Sequence, residues 1–249
     1  MPEFRLDGKV ALVTGAGRGI GTDIARSLAA RGAALAINDL GADRAATVAA
    51  DLDAAGWHAV AAPFDVTDRE AVLAGVAGIA AALGPVDILV NNAGIPPGWR
   101  PGRFADTDPA EWREVVDLNL LGVLNCTAAT IRPMCDRGWG RVITISSGAG
   151  QMGLPGGVSV YAAGKGAAIS FMRHVAVEVA RYGVTANTLA LGLMATRSGV
   201  VTAAEVVRRV PVGRLGSGDD VGAAVVWLAA EGGWVTGQTI GINGGSPTS

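Results

Sequence analysis

The chain has 249 residues, half of them hydrophobic and 17% charged, with a net charge of −2. That length and apolar content suit one α/β domain or two small ones, and the absence of a basic run argues against nucleic acid or an acidic membrane surface as a partner. Glycine, at 37 residues without a Gly-X-Y period, is about twice its usual ~7% share, which excludes a collagen-like repeat and points to tight turns and close backbone contacts.

The N-terminal stretch holds Glu3 and Asp7 and no apolar core, unlike a secretory signal. "KVALVTG" (9–15) is a short apolar run ending in glycine, the pattern of a strand buried on both faces. Next, "GIGTDIARSLAARGA" places Ile20, Ile24 and Leu28 at helical spacing. A strand at 34–39, a helix near 42–55 and a strand over 58–66 follow. The helix over 68–83 is stopped by Gly84-Pro85; the uncharged run 71–86 that contains it carries three glycines and falls short of a membrane span. "VDILVNNAG" (86–94) reads as the fourth strand, with a long helix near 109–136 behind it. "GRVITISS" (140–147), a long helix near 159–182, a strand at 184–190, a helix near 219–230 and a strand at 237–244 complete the chain. This βαβα order predicts an α/β fold: one doubly wound, mostly parallel sheet (a Rossmann fold) with helices on both faces. It forms a single domain over 1–249 that binds ligands at the carboxyl ends of its strands. Loops 95–107 and 193–204 are expected to wall the substrate. Cys126, Cys135, His58 and His174 make neither a zinc spacing nor a disulfide framework, so no metal is expected.

Two local patterns carry chemistry. "TGAGRGIG" (14–21) lies where the first strand meets the first helix, so its backbone N–H groups and the helix dipole suit a pyrophosphate. The strict G-x-G-x-x-G spacing is not met, since Ile20 stands three residues after Gly17; Gly15, Gly19 and Gly21 are spaced four and two instead. Asp39 ends the second strand 18 residues past Gly21, near the ~20 expected of an acid that binds the adenosine ribose. Further along, Tyr161 and Lys165 stand one helical turn apart in a run of Ala and Gly, and residues i and i+4 share a helix face.

With "TGAGRGIG", "NNAG" (91–94), Asn119 in "DLNLLG", "ITISS" (143–147), Tyr161 with Lys165 and "VTGQTIGINGG" near the end, nearly the whole chain resembles the short-chain dehydrogenase/reductase family, in its compact single-domain branch. The resemblance implies an NAD(H)-dependent oxidoreductase acting on a secondary alcohol or ketone. A phenol of pKa ~10 is a poor base at neutral pH. A nearby lysine and a positive nicotinamide are expected to lower that value, so that Tyr161 exchanges a proton with the substrate oxygen. The same resemblance implies that Lys165 also binds the nicotinamide ribose, that Ser147 hydrogen-bonds the substrate oxygen and that Asn119 anchors a water. It further implies cofactor contacts from Gly15, Arg18, Gly19, Ile20, Gly21, Asp39, Asp65, Val66, Asn91, Ala93, Gly94, Gly192 and Thr196. A cytoplasmic homotetramer is expected, with the helices near 109–136 and 159–182 at one interface.

Departures from the family pattern are local. Leu191-Gly192 replaces the usual Pro-Gly, and the spacing from Ser147 to Tyr161 is one residue longer than is common. The general look is that of 3-oxoacyl carrier-protein reductases, and an NADPH-dependent 3-oxoacyl-thioester reductase is the alternative activity. Asp39 argues against it, as do Asp136, Gly138 and Tyr182 where those reductases carry basic residues. A non-catalytic nucleotide sensor on the same fold is a lower-ranked alternative, expected to lack Tyr161, Lys165 or Ser147. An epimerase or dehydratase would need a larger C-terminal region.

Overall fold

Short apolar segments form the strands because parallel strands are covered on both faces. In this computed structural model, which describes residues 4–195 and 207–246, they are β1 (Val10–Val13), β2 (Ala34–Ile37), β3 (Ala59–Ala61), β4 (Ile88–Asn91), β5 (Gly140–Ser147), β6 (Val184–Leu191) and β7 (Thr239–Ile242). The helices are α1 (Gly19–Ala29), α2 (Ala42–Ala54), α3 (Arg69–Leu83), α4 (Pro109–Val116), α5 (Gly122–Asp136), α6 (Ser159–Val179) and α7 (Gly218–Ala230). All strand pairs are parallel, in one sheet of order β3-β2-β1-β4-β5-β6-β7.

Side chains alternate across this sheet. Val10 and Leu12 join Leu89, Val142 and Ala186 in a core closed by residues of α3, α5 and α6. Ala11 and Val13 face the other way, with Leu35, Ile37 and Val90 under α1, α2 and α7. Fully buried side chains such as Leu12 and Leu89 each contribute about 1.5–3 kcal/mol by leaving water. Val13 pairs with Ile37 on one side and Val90 on the other. The chain therefore reverses its direction of travel across the sheet at β1, and a crevice opens at the carboxyl ends there.

Besides strands shortened at their ends, such as the fourth (Ile88–Asn91 against an expected 86–94), three elements differ from the sequence expectation. The third strand, expected over 58–66, ends at Ala61. Pro63 has no N–H to continue a ladder, and the carbonyls of Ala62 and Phe64 accept from the Asn38 side chain instead. The helix near 109–136 is interrupted by a wide π-turn at Asp117–Leu121, centred on Asn119. The helix expected to reach 182 leaves α-geometry at Val179 and closes in a tight turn to Gly183. The stretch Pro109–Asp136 is long and apolar enough to cross a membrane by length and composition, yet 39% of its most apolar window is buried within the fold.

Gly183 adopts φ 73°, and a Cβ there would collide with the Gly138 carbonyl oxygen. Gly183→Ala is therefore expected to destabilise the protein by at least about 1–3 kcal/mol, the scale of a non-glycine residue forced into a sparse backbone region. Urea unfolding checks this, and an unchanged midpoint would contradict it.

Candidate active site

The first βα turn is shaped by glycines used for different reasons. Gly15 and Gly19 have φ of 61° and 59°, which other residues rarely adopt. A Cβ on Gly15 would lie 2.9 Å from Ala93 Cα, and one on Gly21 would lie 2.5 Å from the Gly15 oxygen. Gly19 faces open space. Two side chains tie this turn to the end of β4. The Thr14 hydroxyl accepts the N–H groups of Asn92 (2.9 Å) and Ala93 (3.1 Å), and the Asn92 amide donates to the carbonyls of Thr14 (2.9 Å) and Gly15 (3.1 Å).

Asp39 follows β2 and is 5% exposed. Its Oδ2 accepts from the Gly17 N–H (3.1 Å) and its Oδ1 from the Gly41 N–H (2.9 Å). Oδ1 also accepts from Nε and Nη2 of Arg44, at 3.1 and 2.5 Å.

The other end of the crevice is built from β5, α6 and the π-turn. Ser146 and Ser147 are adjacent but differently used. Ser146 is buried and donates to the Lys165 carbonyl, whereas the partly exposed Ser147 lines the crevice and accepts from the Ala149 N–H. Tyr161 and Lys165 project from α6 into the same crevice. Lys165 is 5% exposed and its Nζ donates to the Ile145 carbonyl at 2.8 Å. Gly94 makes room for it: a Cβ there would lie 2.6 Å from Lys165 Nζ. Asn119 is fully buried, donating to the carbonyls of Gly94 (2.9 Å) and Val115 (2.8 Å). Its Oδ1 has no hydrogen-bond partner among the described residues. The Trp99 ring lies 5.6 Å from that of Tyr161, tilted by 31°.

Burial pushes the Lys165 ammonium down to about 8. Burial also raises the Tyr161 phenol above its ordinary value, with the Ser147 side chain pulling in the opposite direction. Among the protein's own groups, burial therefore outweighs any lowering by Lys165. Loss of solvation for the phenolate dominates, and the lysine ammonium, 5.7 Å from the ring centroid, is bonded to a carbonyl.

Apart from Asn119, which is not among its walls, the predicted catalytic side chains line one crevice of about 820 Å³, within the size range of small-molecule and cofactor sites. It takes in Gly15, Arg18, Gly19, Ile20, Gly21, Asp39, Asp65, Val66, Ala93, Gly94, Ser147, Tyr161, Lys165 and Gly192. Asn91 is not among its walls. As the last residue of β4 it points into the fold, donating to the hydroxyls of Thr127 and Thr144, so the turn contact expected of it falls to Asn92. Thr196 lies outside the described residues. Of the expected substrate loops, 95–100 and 193–195 reach the crevice, while Arg103 is exposed beside Asp106. Met152 and Leu154 stand exposed away from it. Sequence reasoning missed Arg44 and Asn92. Arg44 carries no sequence signal of its own; it stands in the first turn of α2, after the N-capping Gly41, and meets Asp39 from there.

A parallel doubly wound sheet with a glycine turn at one end of its crevice and a Tyr–Lys pair at the other defines a nucleotide-dependent α/β enzyme fold. The short chain dehydrogenase family model matches residues 9–205, and the chain belongs to that family of oxidoreductases, whose members bind a nicotinamide nucleotide. It is 44% identical to nodulation protein G of Azospirillum brasilense, over 95% of this chain and 97% of that one. It is also similar to a gluconate 5-dehydrogenase from Burkholderia cenocepacia, solved with NADP and tartrate: 40% identity, TM-score 0.90, covering 98% and 96% of the two chains. A 3-oxoacyl-acyl-carrier-protein reductase from Brucella melitensis with bound NAD gives 35% identity and a TM-score of 0.91, covering 100% and 97%.

The buried lysine has a signature in stability. Its value is near 10.5 in the unfolded chain and about 8 in the folded one. Below pH 8 both states carry the charge and the folded state bears the full penalty. Between pH 8 and 10.5 the unfolded chain holds more protons, so this group's contribution improves as pH rises. Relative to Lys165→Met, the wild-type unfolding free energy should therefore gain about 2–3 kcal/mol between pH 7 and 10, at ~1.36 kcal/mol per unit. A pH-independent difference between the two proteins would contradict the assignment.

Proposed function

We propose that this oxidoreductase interconverts a secondary alcohol and a ketone, using NAD(H) in preference to NADP(H). The observation that carries this reading is the convergence of Ser147, Tyr161 and Lys165 at one end of the crevice whose other end holds the glycine turn and Asp39. The residues present fit a dinucleotide. Gly19 leaves open space where a side chain would stand, at the start of an eleven-residue helix whose N–H groups suit a pyrophosphate. Asp65, Val66, Asn92, Ala93 and Gly94 line the crevice, where the first two would stand against an adenine. A bound nicotinamide supplies or accepts the hydride.

Tyr161 moves the proton at the substrate oxygen. Ser147 Oγ accepts from the Ala149 N–H and directs its own proton to the same oxygen. Lys165 holds the nicotinamide ribose and stabilises a phenolate that burial alone disfavours. Asn119 Oδ1, a buried acceptor without a protein partner, suits the ordered water of a proton relay. Ile95, Pro96, Leu193 and Met194 give the substrate an apolar wall, with Trp99 over Tyr161. The intact Ser147–Tyr161–Lys165 group supports catalysis over nucleotide sensing. A 3-oxoacyl-thioester substrate is the second reading, supported by the similarity to the Brucella melitensis reductase. The NAD(H) preference rests on Asp39, whose carboxylate suits a neutral ribose and repels a 2′-phosphate.

The protein is further proposed to be a homotetramer joined through the α4–α5 and α6 faces, where Leu121 and Val177 are 42% and 81% exposed. Light scattering at micromolar concentration should report four chains, and a monomer mass would reject this.

A panel of ketones and alcohols followed by NADH absorbance tests the activity. On any substrate found, Tyr161→Phe should retain cofactor binding and lose at least ~10²-fold in turnover, the lower scale for a general acid–base group. Retention of more than about a tenth of wild-type turnover in a chemistry-limited assay would remove Tyr161 as the proton carrier.

A further inference from the structure

The Asp39 carboxylate is not free to act as a bare negative charge. Its Oδ1 takes three donors, the Gly41 N–H and two from Arg44, while Oδ2 takes only the Gly17 N–H. A carboxylate offers about four lone-pair sites, so Oδ2 keeps the room for a ribose hydroxyl. The two partners differ in exposure: the Asp39 side chain is 6% exposed and held by two backbone N–H groups, whereas the Arg44 side chain is 45% exposed.

The arginine's seat is shaped for it. A Cβ on Gly41 would lie 2.6 Å from Arg44 Cζ and 2.8 Å from Nη2, and one on Gly17 would lie 2.8 Å from Arg44 Cβ. Arg44 also stands in the first turn of α2, where the helix dipole disfavours a cation. Its position there is explained by what lies in front of the helix. Arg44, the exposed Arg18 and Leu40, 60% exposed, all line the crevice, and the Leu40 side chain offers no donor.

We propose that Arg44 is a second determinant of cofactor choice, resting on the dinucleotide reading above: it masks Asp39 when the ribose is unmodified and turns onto a 2′-phosphate when one is present, so that the protein uses NADP(H) as well as NAD(H). Asp39 without Arg44 would face a group of about two negative charges with no compensation. With Arg44 the carboxylate and guanidinium sum to zero, and a planar fork of N–H donors stands within reach of the phosphate. The carboxylate's two backbone bonds stay in place during the exchange, so only the arginine moves. NAD(H) remains preferred, by about tenfold or less.

The test compares wild type, Arg44→Ala and Gly41→Ala in two assays. Calorimetry with adenosine 2′,5′-bisphosphate and with adenosine 5′-monophosphate reads the phosphate contact without turnover. The ratio of kcat/KM for NADP(H) to that for NAD(H) reads it on the working enzyme. In Arg44→Ala both ratios should move against the 2′-phosphate by at least tenfold, through KM rather than kcat. Gly41→Ala displaces the far end of a flexible side chain and should shift both ratios the same way by a smaller factor. The wild-type affinity for adenosine 2′,5′-bisphosphate should weaken with added salt more steeply than that of Arg44→Ala. Unchanged ratios in Arg44→Ala, or a wild-type preference for NAD(H) above a hundredfold, would overturn the role of Arg44 and leave the dinucleotide site standing. Failure of wild type to bind either nucleotide, with no turnover on either cofactor, would overturn the dinucleotide reading and this inference together.

Discussion

The site depends on how the ends of β1 and β4 are joined. Two neighbouring parallel strands send their chains in opposite directions at this point, and the resulting gap is where a ligand enters. Thr14 and Asn92 bridge it reciprocally, one hydroxyl accepting two N–H groups and one amide donating to two carbonyls. Each carbonyl left unsatisfied in such a place would cost about 1–3 kcal/mol. Gly21 belongs to the same constraint, since a Cβ there would lie 2.6 Å from the Asn92 amide nitrogen. The glycine turn is therefore a fixed surface, its conformation set by a side chain some 70 residues further along the chain.

From Asn92 the constraint runs to the opposite end of the crevice. The chain continues through Ala93 to Gly94, whose carbonyl accepts from Asn119 and whose missing side chain admits the Lys165 ammonium. Lys165 in turn is bonded to Ile145 on β5, two residues before Ser147. The glycine-turn end and the Tyr–Lys end are thus positioned by one continuous set of hydrogen bonds and close backbone approaches. That continuity explains why π-geometry is tolerated at Asp117–Leu121. The wide turn aims Asn119 at both Gly94 and Val115, in keeping with the occurrence of π-bulges at functional positions.

Much of this was readable before any coordinates. β5 was delimited correctly over 140–147, where the β-branched run Val142, Ile143, Thr144 and Ile145 stands between glycines. The βαβ order and the glycine turn gave the sheet and the place of the crevice. What escaped the sequence was set by tertiary contacts. β3 stops early because Asn38 captures the carbonyls beyond it. Asn91 and Asn92 look equivalent in "NNAG", but the strand's alternation sends the first inward to Thr127 and Thr144 and leaves the second for the turn. Arg44 belongs to no motif and meets Asp39 only through the geometry of the α2 start. The direction of the Tyr161 shift depends on how deeply the ring is buried, which a Tyr-x-x-x-Lys spacing does not encode.

One nicotinamide dinucleotide is proposed to lie along this crevice between the glycine turn and Tyr161. Amide hydrogen exchange with and without saturating NADH reads this contact along the chain. Exchange should slow at 15–21, at Gly41, at 92–95 and at 145–149, with the far ends of the strands unchanged. Uniform protection across the fold, or protection that omits either the glycine turn or the Ser147 region, would contradict it.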